Sequence, residues 1–125
     1  MSLFTKIIIS LTAILHFYFL WFEMFAWTSR GPEIFKSFPP ELFEQSIVMA
    51  ANQGLYNGFL AIGLIWSLFI SNKEWQRNIA TCFLTFVLVA GVYGAFTIEL
   101  KVLFVQAVPA TLGLLSLFLL RSKYK

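Results

Sequence analysis

A small set of residues in this sequence could do chemistry in otherwise inert surroundings. Glu23 follows His16 by seven positions inside an apolar run, so on a helix the two lie two turns apart on nearly one face. Together they offer an acid and a base, or a pair that shares a proton. Asn52, Gln53, Tyr56 and Asn57 crowd into AANQGLYNGFL, residues 50–60, which opens a second apolar run. Tyr93 and Gln106 add a phenol and an amide from two further runs. An amide placed in hydrocarbon without a partner costs roughly 2–7 kcal/mol. Such groups therefore face other helices or a wet cavity, not lipid. A carboxyl at that depth must be paired, hydrogen-bonded or held neutral.

The runs that carry these groups dominate the chain. Of 125 residues, 59% are hydrophobic and only 12% are charged, whereas soluble domains average about 25% charged. So few charges could not coat a soluble globule, and a polytopic membrane protein is the economical reading. The net charge of +3 is no nucleic-acid signal, because the basic residues sit at the ends of apolar runs. Cys82 is the sole cysteine, so no intrachain disulfide is available, and its setting reads as that of a small buried hydrophobe. No Cys/His spacing marks a metal site, and no fingerprint marks a cofactor.

The fold class predicted is all-α: a single transmembrane domain of four antiparallel helices. The spans fall at about 3–27, 47–70, 79–98 and 102–120. The first is longer than a signal-peptide core and lacks a small-residue cleavage pattern, so it reads as a retained span. The longest loop, 28–46, is expected to begin where Arg30-Gly31-Pro32 stops the helix. It is expected to lie in the interface through Ile34, Phe35 and Phe38, roofing the outer mouth of the bundle. Pro39-Pro40 then starts a new helix, with Glu41 and Glu44 near its positive end. Residues 71–78 form a short polar link, and 99–101 a tight turn or kink. Ala50, Gly54 and Gly58 repeat every four residues, as do Ala90/Gly94 and Gly91/Ala95, which lets helices approach closely. Pro109 removes an N–H and frees a carbonyl near Val105, predicting a bend.

Orientation follows from the nine Lys and Arg. Lys6, Lys73, Arg77, Arg121, Lys123 and Lys125 fall on the side of the N-terminus, against Arg30, Lys36 and Lys101 on the other. This places both termini in the cytoplasm, in a multi-pass protein of the cell inner membrane. In that frame His16, Glu23, Asn52, Gln53, Tyr56, Asn57, Tyr93 and Gln106 all fall in the outer half, with Asn57 level with His16. The inner halves are nearly pure hydrocarbon. The expectation is one polar pocket, opening outward and closed below. Four helices can just enclose it, so a monomer suffices, and the aromatic-rich faces would equally suit a homodimer.

The spans, together with HFYFLWFEMFAW, ANQGLYNGFLA, GVYGAFT and the late QAVPA, resemble a family of small bacterial integral membrane proteins, the domain-of-unknown-function family one-three-zero-four. The likeness covers nearly the whole chain. It implies four transmembrane helices and no assigned activity. Three functions stay open on the residues. One is binding or transport of a small lipophilic or polar molecule, or of membrane lipid, through the amides and Glu23. Another is an intramembrane enzyme using His16 and Glu23 as acid and base. The third is a structural or accessory subunit whose polar groups fix helix register.

Overall fold

A computed structural model describes residues 1–120. The terminal cations Arg121, Lys123 and Lys125, used above for orientation, lie outside the described residues. All regular structure among the described residues is helical. In chain order it is α1 (Leu3–Phe25), α2 (Trp27–Ile34), α3 (Pro40–Gln45), α4 (Ile47–Phe69), α5 (Lys73–Thr97), a π-helical turn (Leu103–Ala107) and α6 (Val108–Leu119). Three of these helices, α1, α4 and α5, are long and apolar enough to cross a membrane. The π-turn and α6 together make a shorter apolar rod, Leu103–Leu119.

Capping sets the boundaries, and it moves some of those expected. Ser2 accepts the Thr5 N–H at 3.1 Å and so starts α1. The helix breaks at Ala26, and α2 begins at once rather than after a stop at Arg30-Gly31-Pro32. Those three residues lie inside α2. Pro32 deletes one backbone bond only, while Arg30 N–H to the Ala26 carbonyl and Phe35 N–H to the Gly31 carbonyl, both 2.8 Å, hold the turn on either side. The third long helix starts at Lys73, not Ile79, and the polar link shrinks accordingly. Asn72 explains this: its Oδ1 accepts the N–H groups of Glu74 and Trp75, both at 3.0 Å, and Glu74 favours the positive helix end.

The bend expected at Pro109 takes the form of the π-turn. Val108 N–H reaches back five residues to the Leu103 carbonyl, a register that accommodates the proline at the next position. Gly91 of α5 sits against this turn. A Cβ there would lie 2.6 Å from the Ala107 nitrogen, so only glycine permits so close an approach.

The helices pack as a closed ring: α1 on α4, α4 on α5, α5 on the π-turn and α6, and α6 on α1. Neighbours run antiparallel, as their facing residues show. Gly54 meets Glu23 and Met24, Gly63 meets Phe83, and Gly113 meets Leu84 and Ile8. The Ala50–Gly54–Gly58 row faces α1, as its spacing predicts. Ile9, Ala13, Leu64, Leu84, Val87 and Ala110 fill the centre, all at 0% exposure. The outer surface is the reverse of a soluble protein's: Phe25, Phe69 and Phe96 are 73%, 80% and 87% exposed. Cys82, expected to be buried, is also on this surface.

The segment between α1 and α4 is a folded cap. Phe22, Trp27, Phe35, Phe38 and Phe43 form a continuous aromatic cluster with ring centroids 5.2–6.4 Å apart. Phe43 is 1% exposed, and its ring occupies the space a side chain at Gly31 would need. Trp27 Nε1 donates to Ser46 Oγ at 3.0 Å. A second tie reaches the turn after α5. Ser37 donates to Glu99 at 2.8 Å, Lys101 pairs with Glu99 at 2.9 Å, and Lys101 also donates to the Ile34 carbonyl. Lys101 lies 4.7 Å over the Phe35 ring besides.

Candidate functional site

Glu23 and Asn57 face each other across the α1–α4 seam. Asn57 Nδ2 donates to Glu23 Oε1 at 2.9 Å. The glycine row makes this possible, because Gly54 and Gly58 bring the two backbones together on either side of the pair. Asn57, three positions after Gly54, turns into the same seam and is 4% exposed. Glu23 Oε2, the second carboxyl oxygen, is buried and has no hydrogen-bond partner.

His16 lies on the same side of α1, at 0% exposure. Its Nδ1 is 2.8 Å from the Thr12 carbonyl, and Thr12 shares its buried face. The Phe19 ring meets the imidazole edge-on at 5.3 Å. Nε2 is buried with no partner. A buried polar atom left alone is costly, so each orphan marks a place where a partner is chemically wanted. The two orphans are seven residues apart, about 10 Å along the helix. The antiparallel register pairs Leu20 with Gly58 and Glu23 with Gly54. Asn57 is therefore level with Leu20 to Glu23, and His16 is deeper than Asn57 rather than beside it.

The other residues singled out from the sequence are placed apart from this seam. Asn52, Gln53 and Tyr56 are exposed on α4, and Tyr93 is exposed on α5. Asn52 satisfies its amide by donating to the Val48 carbonyl at 2.8 Å. Gln106 is half-buried in the π-turn, beside Gly91. Helix azimuth accounts for this. With Gly54 aimed at α1, positions 52 and 56 each stand two residues, about 200°, round the helix, and 53 stands about 100° away. A common depth does not bring side chains to a common face.

Among the described residues no group of three His, Cys, Asp or Glu stands together as a metal site would require. A groove lined by Leu88, Val92, Leu103, Ala107, Val108, Thr111 and Leu112 runs between α5 and α6 and is almost wholly apolar. A larger cavity lies at the opposite end of the bundle from Glu23, where α1 and α5 begin and α6 ends.

A family model described as "Protein of unknown function (DUF1304)" matches residues 10–118. The chain belongs to that family. It is also similar to "Uncharacterized protein YpaA" of Lactococcus lactis subsp. lactis (strain IL1403), at 32% identity over 120 residues, covering 94% of this chain and 99% of the relative. No solved structure matches. The family match takes in α1 from Ser10 onward, so His16, Glu23, Asn57 and the glycine row all fall inside it. The sequence reading missed the residues that build the cap, Ser37, Phe43 and Ser46. The signal for two of them was present: Phe43 follows a Pro-Pro helix start, and Ser46 immediately precedes α4.

Proposed function

We propose that this chain is an integral membrane protein of four crossings that binds a small lipophilic or polar molecule at the α1–α4 seam. Leu103–Leu119 is the fourth crossing, bent by the π-turn and shorter than its neighbours. Both termini are cytoplasmic, and the aromatic cap lies at the outer face of the cell membrane. The bound molecule reaches Glu23 from the cap side, where α1 ends two residues later. The observation that supports this reading is the pair of orphaned buried atoms, Glu23 Oε2 and His16 Nε2, on one side of α1. Asn57 holds Glu23 in place through Oε1 and leaves Oε2 for a donor on the ligand.

The packing at Gly54 supports a second reading, a helix lock. A Cβ there would come within 3.0 Å of Glu23 Cβ and 2.9 Å of Met24 Cγ, so the seam is tight beside the pair. One experiment separates the two. The protein is purified from its host membrane and weighed by native mass spectrometry, beside Glu23→Gln and His16→Phe variants. A small-molecule adduct on the wild type, lost in both variants while their melting temperatures hold, supports the site. A wild type without adduct, with Glu23→Gln melting well below it, assigns the pair to the lock.

A further inference from the structure

The cavity at the far end of the bundle has a different chemistry from the α1–α4 seam. It measures about 760 Å³ and is lined by Ser2, Thr5, Lys73, Arg77, Asn78 and Ser116, together with the apolar Leu117 and Leu120, among others. We propose that it binds a phosphate-bearing anion, with Arg77 and Lys73 as the charged contacts.

Several features converge on an anion. Two long helices, α1 and α5, both begin at this cavity and turn their positive ends toward it. Lys73 and Arg77 stand four apart in the opening turns of α5, where like charges on one helix face repel each other unless an anion lies between them. Glu74 also lines the cavity, but no carboxylate of the described residues lies within ion-pair distance of Arg77 or Lys73; the salt bridge found is Lys101–Glu99, at the other end. Arg77 is half-buried, its Nε is buried without a hydrogen bond, and its guanidinium rests 5.9 Å from the centre of the Phe118 ring. A guanidinium beside an aromatic ring, with an unused N–H, is set up for bidentate contact with phosphate oxygens. Ser2 and Thr5 spend one of their two hydroxyl hydrogens on each other, at 2.7 Å, leaving the other to point elsewhere.

The mixed lining, in which cations and hydroxyls stand with leucines, fits a phospholipid headgroup with the start of its acyl chains. It sits at the face where the Lys/Arg distribution puts the cytoplasm and its anionic leaflet. Inorganic phosphate shares the headgroup's chemistry, so the test carries both.

The full chain is reconstituted into nanodiscs of phosphatidylcholine alone, of phosphatidylcholine with phosphatidylglycerol, and of phosphatidylcholine with added inorganic phosphate. Thermal melting is followed for the wild type, Arg77→Gln, Lys73→Gln and, as a control at the other end, Lys36→Gln. Phosphatidylglycerol or phosphate should raise the wild-type melting temperature. Arg77→Gln should cut the apparent affinity about tenfold, the loss of one charged hydrogen-bonding partner, and Lys36→Gln should change nothing. A rise with phosphatidylglycerol alone assigns the site to lipid; a rise with phosphate assigns it to a soluble anion. Lys73 is exposed, so Lys73→Gln reads the same effect if Arg77→Gln folds poorly. Equal melting in all three nanodiscs, or an undiminished rise in both variants, overturns the proposal. Neither variant touches the α1–α4 seam, so this result stands or falls apart from the reading of Glu23.

Discussion

The Asn57 amide donates to the Glu23 carboxylate at 2.9 Å, the one side chain-to-side chain hydrogen bond between two long helices among the described residues. Its two partners differ in what their loss leaves behind. Asn57→Leu strands a buried carboxyl oxygen with no donor and should cost about 1–3 kcal/mol. Glu23→Gln keeps an oxygen that accepts from Asn57, so its loss should be smaller. Melting in one detergent should therefore rank wild type above Glu23→Gln above Asn57→Leu. Equal losses would mean that the bond contributes nothing distinct from packing.

His16 predicts the opposite behaviour. In a regular helix the Thr12 carbonyl already accepts the His16 backbone N–H, so its contact with Nδ1 is supplementary. Nε2 has no partner to lose. His16→Leu nearly conserves volume and removes an unsatisfied polar atom. It should melt within about 1 kcal/mol of the wild type, or above it. A drop of several kcal/mol would show that Nε2 has a structural partner, such as a bound water.

Much of the architecture was legible because it rests on local rules. The Ala50–Gly54–Gly58 spacing predicts a close helix contact, which α1 supplies, and Pro109 predicts the distortion that appears as the π-turn. The site was only half legible. Depth follows from counting residues at about 1.5 Å each; it sets Asn57 level with His16, whereas the register of the two helices sets it level with Leu20 to Glu23. Azimuth depends on which face of α4 meets α1, and the glycines decide that, not the amides. Asn52, Gln53 and Tyr56 share the depth of the site and point away from it. The cap was legible as a roof over the bundle, but its tie to the turn after α5 was not: Ser37 and Glu99 are 62 positions apart, and no local pattern pairs them.

That pairing gives the cap a pH dependence. Hydrogen bonds from Lys101 and Ser37, helped by the Lys101 charge, hold the Glu99 carboxyl below its ordinary value of 4.5. A carboxyl depressed in the folded state adds stability above its ordinary value and loses it as pH falls through the folded value. The pair is partly exposed, so the effect is local and modest. Hydrogen exchange in 35–39, corrected for intrinsic rate, should show protection at neutral pH that fades below pH 4.5. Glu99→Gln should show low protection at both. A wild type and variant that exchange alike at neutral pH would remove Glu99 from the cap's stability.

The glycines offer a graded test of the ring of helices, because an added methyl meets a different obstacle at each. At Gly58 the nearest atom is Leu20 Cδ1, the far end of a flexible side chain, which can rotate aside. At Gly54 the methyl meets Met24 Cγ at 2.9 Å, Glu23 Cβ at 3.0 Å and the Leu20 carbonyl at 3.1 Å, and two of those are at or next to the backbone. At Gly91 the obstacle is backbone itself, the Ala107 nitrogen at 2.6 Å, inside a π-turn with no slack beside Pro109. Overpacking costs typically about 1–3 kcal/mol, and more where nothing yields. Alanine gains helix propensity over glycine by about 1 kcal/mol, which offsets part of that loss. Gly58→Ala should therefore melt near the wild type, Gly54→Ala below it, and Gly91→Ala lowest. If Gly91→Ala melts as high as Gly58→Ala, α5 does not approach the π-turn as closely as described.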